Sequence, residues 1–333
     1  MIKKLVGLLL VFMIAEPVAA AAVPAAESTS TAHRVAFAFH SAFLMNLHHF
    51  LYDMAVHKDK LAAVAWESAP TAEELRTLQQ AIAFYRAHYG EPGIREAPIL
   101  IDIKRALSVD DAQCRVAGLG IAPALAAVLD QAAPVYARRL WPAHHRSNRA
   151  WIARVTALDL AYGAEVQAGI EHQMEASFPP LPIRTDVVFD TGSRQGAYTD
   201  EQIVIPSARA DYQDLASLEM LYHEASHTTV TVPLEEAIDA RLKATARSQD
   251  SDLWHVVQFY TVGAVTRDVL ARHGERGYQP YADKRGLYDA YWAPYMAVIG
   301  SIWLDHMAGR MDLQQAAKQM VDRLPANQAI AIE

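Results

Sequence analysis

The feature that most constrains this chain is the run over 211–230, which contains neither proline nor glycine and is bracketed by Pro206 and Pro233. Tyr212, Leu215, Leu218 and Tyr222 recur in it at helical spacing, and Ser207 and Asp211 are good N-cap residues just after Pro206. A helix is therefore expected here. It carries His223-Glu224-Ala225-Ser226-His227, an H-E-x-x-H pattern. Side chains four apart on a helix stand one above the other on the same face. Two imidazoles so placed can close on one metal ion, with Glu224 a step round the helix beside the open coordination position. The plainer reading is two histidines on a half-buried helix that only hydrogen-bond their surroundings.

The chain begins with Lys3 and Lys4, then an apolar run over 5–14, then the small residues Val18-Ala19-Ala20-Ala21-Ala22. This is the pattern of a secretory signal peptide, expected over 1–22 with cleavage near Ala20 to Ala22. The apolar run is short for a bilayer span, and no later segment approaches eighteen or so uninterrupted apolar residues. An exported protein without a stable membrane span, periplasmic or secreted, is expected. The net charge of −8 and the absence of a Lys/Arg-rich tract argue against nucleic acid as a partner. One cysteine, Cys114, excludes an intramolecular disulfide. Stability must come from a large apolar core, which a 52% hydrophobic chain can supply, and from any bound metal.

Residues 23–32 read as a flexible leader. Phe43, Leu44, Leu47, Phe50, Leu51 and Met54 form one helical stripe. Further helices are expected over 71–88, 109–118, 122–140 and 148–174, so the region 23–180 reads as almost wholly helical. Beyond Phe178-Pro179-Pro180 the pattern changes. Residues 186–190 and 202–205 are short β-favouring runs around a Gly-containing turn, and they end just before the motif helix. Helices follow near 233–247, 251–272, 285–308 and 311–324. The fold class is α+β: mostly helical, with one small β-sheet preceding the H-E-x-x-H helix.

Strand, then H-E-x-x-H helix, then more helices: over roughly 185–275 this order resembles the zincin metallopeptidases, which marks 181–333 as a zincin-like metal-binding region. The resemblance implies one zinc ion held by His223 and His227, with Glu224 as general base, acting on a peptide or protein substrate. The extended metzincin motif would need glycine and histidine where this chain has Val230 and Pro233, so the likeness is to gluzincins, which take a third ligand from a later helix. Glu235 and Glu236 are candidates, although acidic residues in a first helical turn also suit the helix dipole. His255 is the favoured candidate. It sits in an apolar stretch that should be a buried helix, where a polar ring needs a partner such as a metal, a carbonyl or a carboxylate. The likeness also implies that an edge strand within 197–205 could pair with an extended substrate, the alternative being a plain structural hairpin.

Other polar side chains have structural readings beside functional ones. In the cluster His40, His48, His49 and His57, His48 could line the site and donate to an oxyanion or support a ligand, beside the plainer reading of these as core or surface histidines. His144-His145, with Asn148 nearby, marks a helix junction. Tyr260, Tyr291 and Tyr295 could donate to an oxyanion, but packing with aromatics such as Trp292 suits them as well. His306 fits a helix C-terminus. The activity expected is zinc-dependent hydrolysis by a metallopeptidase. The alternative is a non-catalytic metal-binding or helical interaction protein that keeps the same helix.

Overall fold

A four-stranded sheet divides the hydrophobic interior into two cores. The computed structural model describes residues 34–325, apart from 58–59, 91–92, 95–96 and 193–195. The expected leader over 1–22 lies outside the described residues. The strands are β1 (Phe37–His40), β2 (Ile183–Val188), β3 (Tyr198–Thr199) and β4 (Ile203–Pro206), in the spatial order β1-β2-β4-β3. β1, β2 and β4 run parallel, and β3 lies antiparallel to β4 at the edge. Side chains alternate across a strand. Val187, Ile203 and Ile205 accordingly enter one core, and Val188, Tyr198 and Val204 the other. The arrangement is the expected α+β one, helix-rich with a single small sheet.

The second core is closed by α1 (Phe43–Val56), α2 (Ala72–Tyr89), α3 (Pro98–Leu107) and α4 (Pro123–Arg139). α5 (Trp141–Leu158) and α6 (Ala164–Met174) lead back to β2. The first core gathers α5, α6, the motif helix α7 (Leu215–Ser226), α8 (Val232–Ala244) and α9 (Leu253–Arg272). Four short helices follow: α10 (Tyr281–Lys284), α11 (Leu287–Tyr291), α12 (Ala293–Val298) and α13 (Leu304–Met307). α14 (Leu313–Arg323) ends the described chain against α8. Among the described residues, no helix is long and apolar enough to cross a membrane.

Local differences from the sequence reading have identifiable causes. Strand β1 lies inside the region read as helical, because its four residues carry little local signal and are fixed by pairing with β2. Residues 109–118 are not a helix. Asp110 Oδ1 accepts from the Ala112 amide, and Asp111 is drawn away to the Ser41 amide and His40 Nδ1, each at 3.0 Å. Short acidic side chains compete with helix in this way. α3 lies outside the expected helices; Pro98 opens it, and Leu100, Ile103 and Leu107 are buried at helical spacing. The single helix expected over 285–308 is broken at Gly286, which is left-handed, and again around Trp292-Ala293-Pro294.

The helix expected over 148–174 contains a π-helical turn, Asp159–Gly163. Its purpose is visible from α7. Tyr222, the residue before His223, donates to Asp159 Oδ1 at 2.7 Å and approaches the Gly163 carbonyl at 3.0 Å. A Cβ on Gly163 would lie 2.0 Å from Asp159 Oδ1 and 2.6 Å from the Tyr222 hydroxyl. A side chain at 163 would have to displace both of these side-chain ends for the motif helix to dock this closely.

Candidate metal centre

Helix α7 is shorter than the run that encodes it, because residues 210–212 form a separate 3₁₀ turn and Asp214 has a positive φ of 51°. From Ser217 to Ser226 every residue of α7 is buried. Several of its polar side chains are tied down. Glu219 accepts from the Tyr278 hydroxyl and from the Tyr281 amide at 3.0 Å. Burial pushes its carboxyl up to about 7. Ser226 Oγ donates to the His223 carbonyl at 2.7 Å, and Thr231 Oγ1 donates to the Ser226 carbonyl at 3.0 Å.

Helix α9 crosses behind the motif. Gln258, fully buried, donates to the His223 carbonyl at 3.0 Å and to Ser226 Oγ at 2.6 Å. Three residues earlier on α9, His255 is thereby held over the motif. The ring centroids of His223 and His227 are 5.0 Å apart, and those of His255 lie 5.5 and 5.3 Å from them. One ring nitrogen from each of the three lies within 4.8 Å of the others, a three-histidine cluster that could hold a metal ion. Among the described residues, neither Glu235 nor Glu236 joins it. The set is thus all imidazole, where a gluzincin-like arrangement would supply a carboxylate.

The donors suit a divalent metal such as zinc. A tetrahedral ion with bonds of about 2.0–2.1 Å draws its ligand nitrogens to roughly 3.4 Å apart, within reach of small ring rotations. His223 Nδ1 is buried without a hydrogen-bond partner, and a metal-bound ring is a ready explanation for an imidazole placed so far from water. Burial, and then the neighbouring His227 and His255, hold the His223 imidazole well below its ordinary range, which keeps it neutral and able to ligate.

Glu224 is 3% exposed and faces the sheet. Thr199, on edge strand β3, places its hydroxyl 2.9 Å from both Glu224 Oε2 and the Glu224 carbonyl. Around the imidazoles stands an aromatic wall. Phe259 stacks on His223 at 3.8 Å, Trp254 meets His227 edge-on at 5.7 Å, and Trp292 lies 6.2 Å from His255. The sequence reading did not single out Thr199, Gln258, Trp254 or Phe259 for the site. Phe259 follows His255 by one helical turn and was legible on that ground. Thr199 carries no local signal at all.

The remaining candidates fall elsewhere. His48 is fully buried in the second core, with Nδ1 2.9 Å from the Tyr85 hydroxyl, and His49 bridges the Met45 carbonyl and the Tyr198 hydroxyl. His40 pairs with Asp111 and His57 with Asp53. His144 meets the Tyr136 hydroxyl, and His145 meets Ser41 Oγ. None of these joins the three-histidine cluster. Tyr291 is exposed, Tyr295 is buried, and Tyr260 packs beside Tyr288. His306 lies 2.7 Å from the Gln173 carbonyl, an ordinary structural role. Comparison of the chain with protein-family models, with curated proteins and with solved structures finds no match.

Proposed function

We propose that this chain is an exported zinc-dependent hydrolase, a zincin-like metallopeptidase in which His223, His227 and His255 hold one zinc ion and Glu224 is the general base. One observation carries the reading: three imidazoles from two helices converge, and an acidic residue directly follows the first of them. Zinc held there would acidify a bound water towards neutrality and polarise a carbonyl. Glu224 would take the proton from the attacking water and deliver it to the leaving amine. Gln258 fixes the register of the two helices that supply the ligands. Strand β3 is the edge of the sheet, and Thr199 sets it directly against Glu224. An extended peptide added to that edge would lie beside the base, which favours a peptide over a compact small molecule. The leader expected over 1–22 is the ground for proposing the periplasm or the outside of the cell as its location.

The test combines elemental analysis with cleavage of a mixed peptide library. The expected outcome is one zinc per chain and measurable cleavage. Glu224→Gln should keep the zinc and lose about 10²–10⁴-fold of the turnover. A second reading, a metal-binding protein without turnover, draws on the near-complete burial of Glu224 and its hold by Thr199. It predicts stoichiometric metal and no cleavage by either form. Absence of stoichiometric metal would defeat both.

A further inference from the structure

We propose that Gln258 is a positioning residue of the three-histidine cluster: His223 ligates through Nε2, and its Nδ1–H donates to Gln258 Oε1. The inference rests on reading the cluster as a zinc site. It gives Gln258 a second task beside joining α9 to α7.

The ground is a pair of unmet atoms. Among the described residues, four buried side-chain polar atoms lack a hydrogen-bond partner, and two of them are His223 Nδ1 and Gln258 Oε1. The other two, on His48 and Thr266, belong to residues outside the cluster. His223 and Gln258 are in direct contact, since Gln258 Nε2 lies 3.0 Å from the His223 carbonyl. Buried polar atoms are nearly always paired, so two orphans on touching residues ask for one explanation.

Hydrogen-bond accounting makes the two complementary. The His223 carbonyl can only accept, so the Gln258 atom beside it is the amide nitrogen and the oxygen is the group left over. Both protons of that nitrogen are committed, one to the His223 carbonyl and one to Ser226 Oγ at 2.6 Å. Ser226 Oγ in turn gives its proton to the His223 carbonyl at 2.7 Å. Gln258 therefore has only an acceptor to offer. The imidazole decides the rest. A neutral ring has one N–H and one lone pair, and a metal takes the lone pair. Ligation through Nε2 puts the proton on Nδ1 and makes it the donor that Gln258 Oε1 needs. Ligation through Nδ1 would leave the Gln258 oxygen buried and unmet. Only the first choice satisfies both atoms. Phe259, stacked on the His223 ring at 3.8 Å, covers one face and supplies no acceptor. The two atoms are not bonded to each other as they stand, and drawing the ring onto an ion is the movement that pairs them.

The consequence is for metal affinity. An acceptor on the outer nitrogen of a ligating imidazole fixes its tautomer, orients the ring and raises the basicity of the other nitrogen. Gln258 follows His255 by three residues on α9, so the two share a face. One turn of α9 thus supplies a ligand of its own and supports the ligand that α7 presents to it.

Zinc affinity of the full chain, measured by chelator competition for the wild type, Gln258→Met and Gln258→Glu, tests this. Methionine spans the same length with neither the amide donor nor the oxygen, and should weaken zinc binding about 10–100-fold. Glutamate keeps an oxygen for Nδ1–H while losing the amide donor, and should bind zinc within about threefold of the wild type. A merely structural role, in which the amide protons hold α9 to α7, predicts a loss for glutamate as large as for methionine. Should either variant fail to fold by circular dichroism, long-range proton–nitrogen NMR of the wild-type chain, labelled with nitrogen-15 histidine, carries the test. With zinc added, His223 should hold its proton on Nδ1, and that proton should exchange slowly with solvent. Wild-type affinity in Gln258→Met, an equal loss in both variants, or a zinc-bound His223 protonated on Nε2 would each overturn this inference and leave the hydrolase reading standing. A chain that takes up no zinc would overturn both.

Discussion

Thr199 Oγ1 lies 2.9 Å from Glu224 Oε2, joining the edge strand of the sheet to the acidic residue of the H-E-x-x-H helix. A nearly buried carboxylate that loses a donor is poorly solvated, and hydrogen bonds to charged groups contribute about 1.5–3 kcal/mol. Thr199→Val should therefore lower unfolding stability by an amount in that range, read from urea denaturation, and Thr199→Ser should restore most of it. An unchanged midpoint for the valine variant would show that this hydroxyl contributes nothing to holding Glu224.

His255 is the third member of the cluster, and Glu235 and Glu236 are not members. His255→Ala should weaken zinc binding by more than about 100-fold, the upper end of what changes outside the ligand set produce. Glu235→Gln and Glu236→Gln should leave it within a few-fold. Competition against a chromogenic chelator measures all three. A folded His255→Ala protein with wild-type zinc affinity would remove His255 from the site.

Glu219, one turn before His223, makes stability depend on pH. Its folded carboxyl is pushed up to about 7 by burial, above the ordinary value near 4.5 that it has when unfolded. Between those values the folded state binds more protons at this group than the unfolded one, so the contribution of Glu219 to stability is fully present below about 4.5 and is lost as pH rises through 7. The difference across that window is on the order of 3 kcal/mol. Glu219→Gln keeps acceptors for Tyr278 and Tyr281 while removing the proton. It should flatten this part of the stability curve and raise stability at pH 8. Parallel wild-type and mutant curves would exclude Glu219 as the source.

Gly163→Ala forces a methyl group against Asp159 and the Tyr222 hydroxyl. Overpacking of this kind destabilises by about 1–3 kcal/mol. Because Tyr222 precedes His223, zinc affinity should fall as well. Tyr222→Phe in the Gly163→Ala background should recover part of the stability, since it removes one of the two atoms that clash. Thermal unfolding of the single and double variants provides the comparison.

Helices with an apolar stripe were legible from the sequence, as α1, α2, α4, α8, α9 and α14 illustrate, because burial of one face repeats along the chain. Strand β1 was not, since four residues cannot declare a partner at position 183. Residues 109–118 misled for a related reason. Their helical composition yields to Asp110 and Asp111, whose carboxylates find better partners in their own loop and at the start of α1. In the site, His223, Glu224 and His227 declared themselves by spacing. The choice among His255, Glu235 and Glu236 did not rest on spacing, and neither did the role of Gln258 or Thr199.

By itself the sequence determined which residues share one helical face, because a turn of 3.6 residues fixes that locally whatever the rest of the chain does. It therefore specified the pair of imidazoles and the acid beside them. Only the tertiary structure decided which third side chain meets that pair, since α9 is placed by packing and by the hydrogen bonds of Gln258 to His223 and Ser226. Long-range contacts of that kind follow from how two apolar faces fit together, and no period in the chain encodes them.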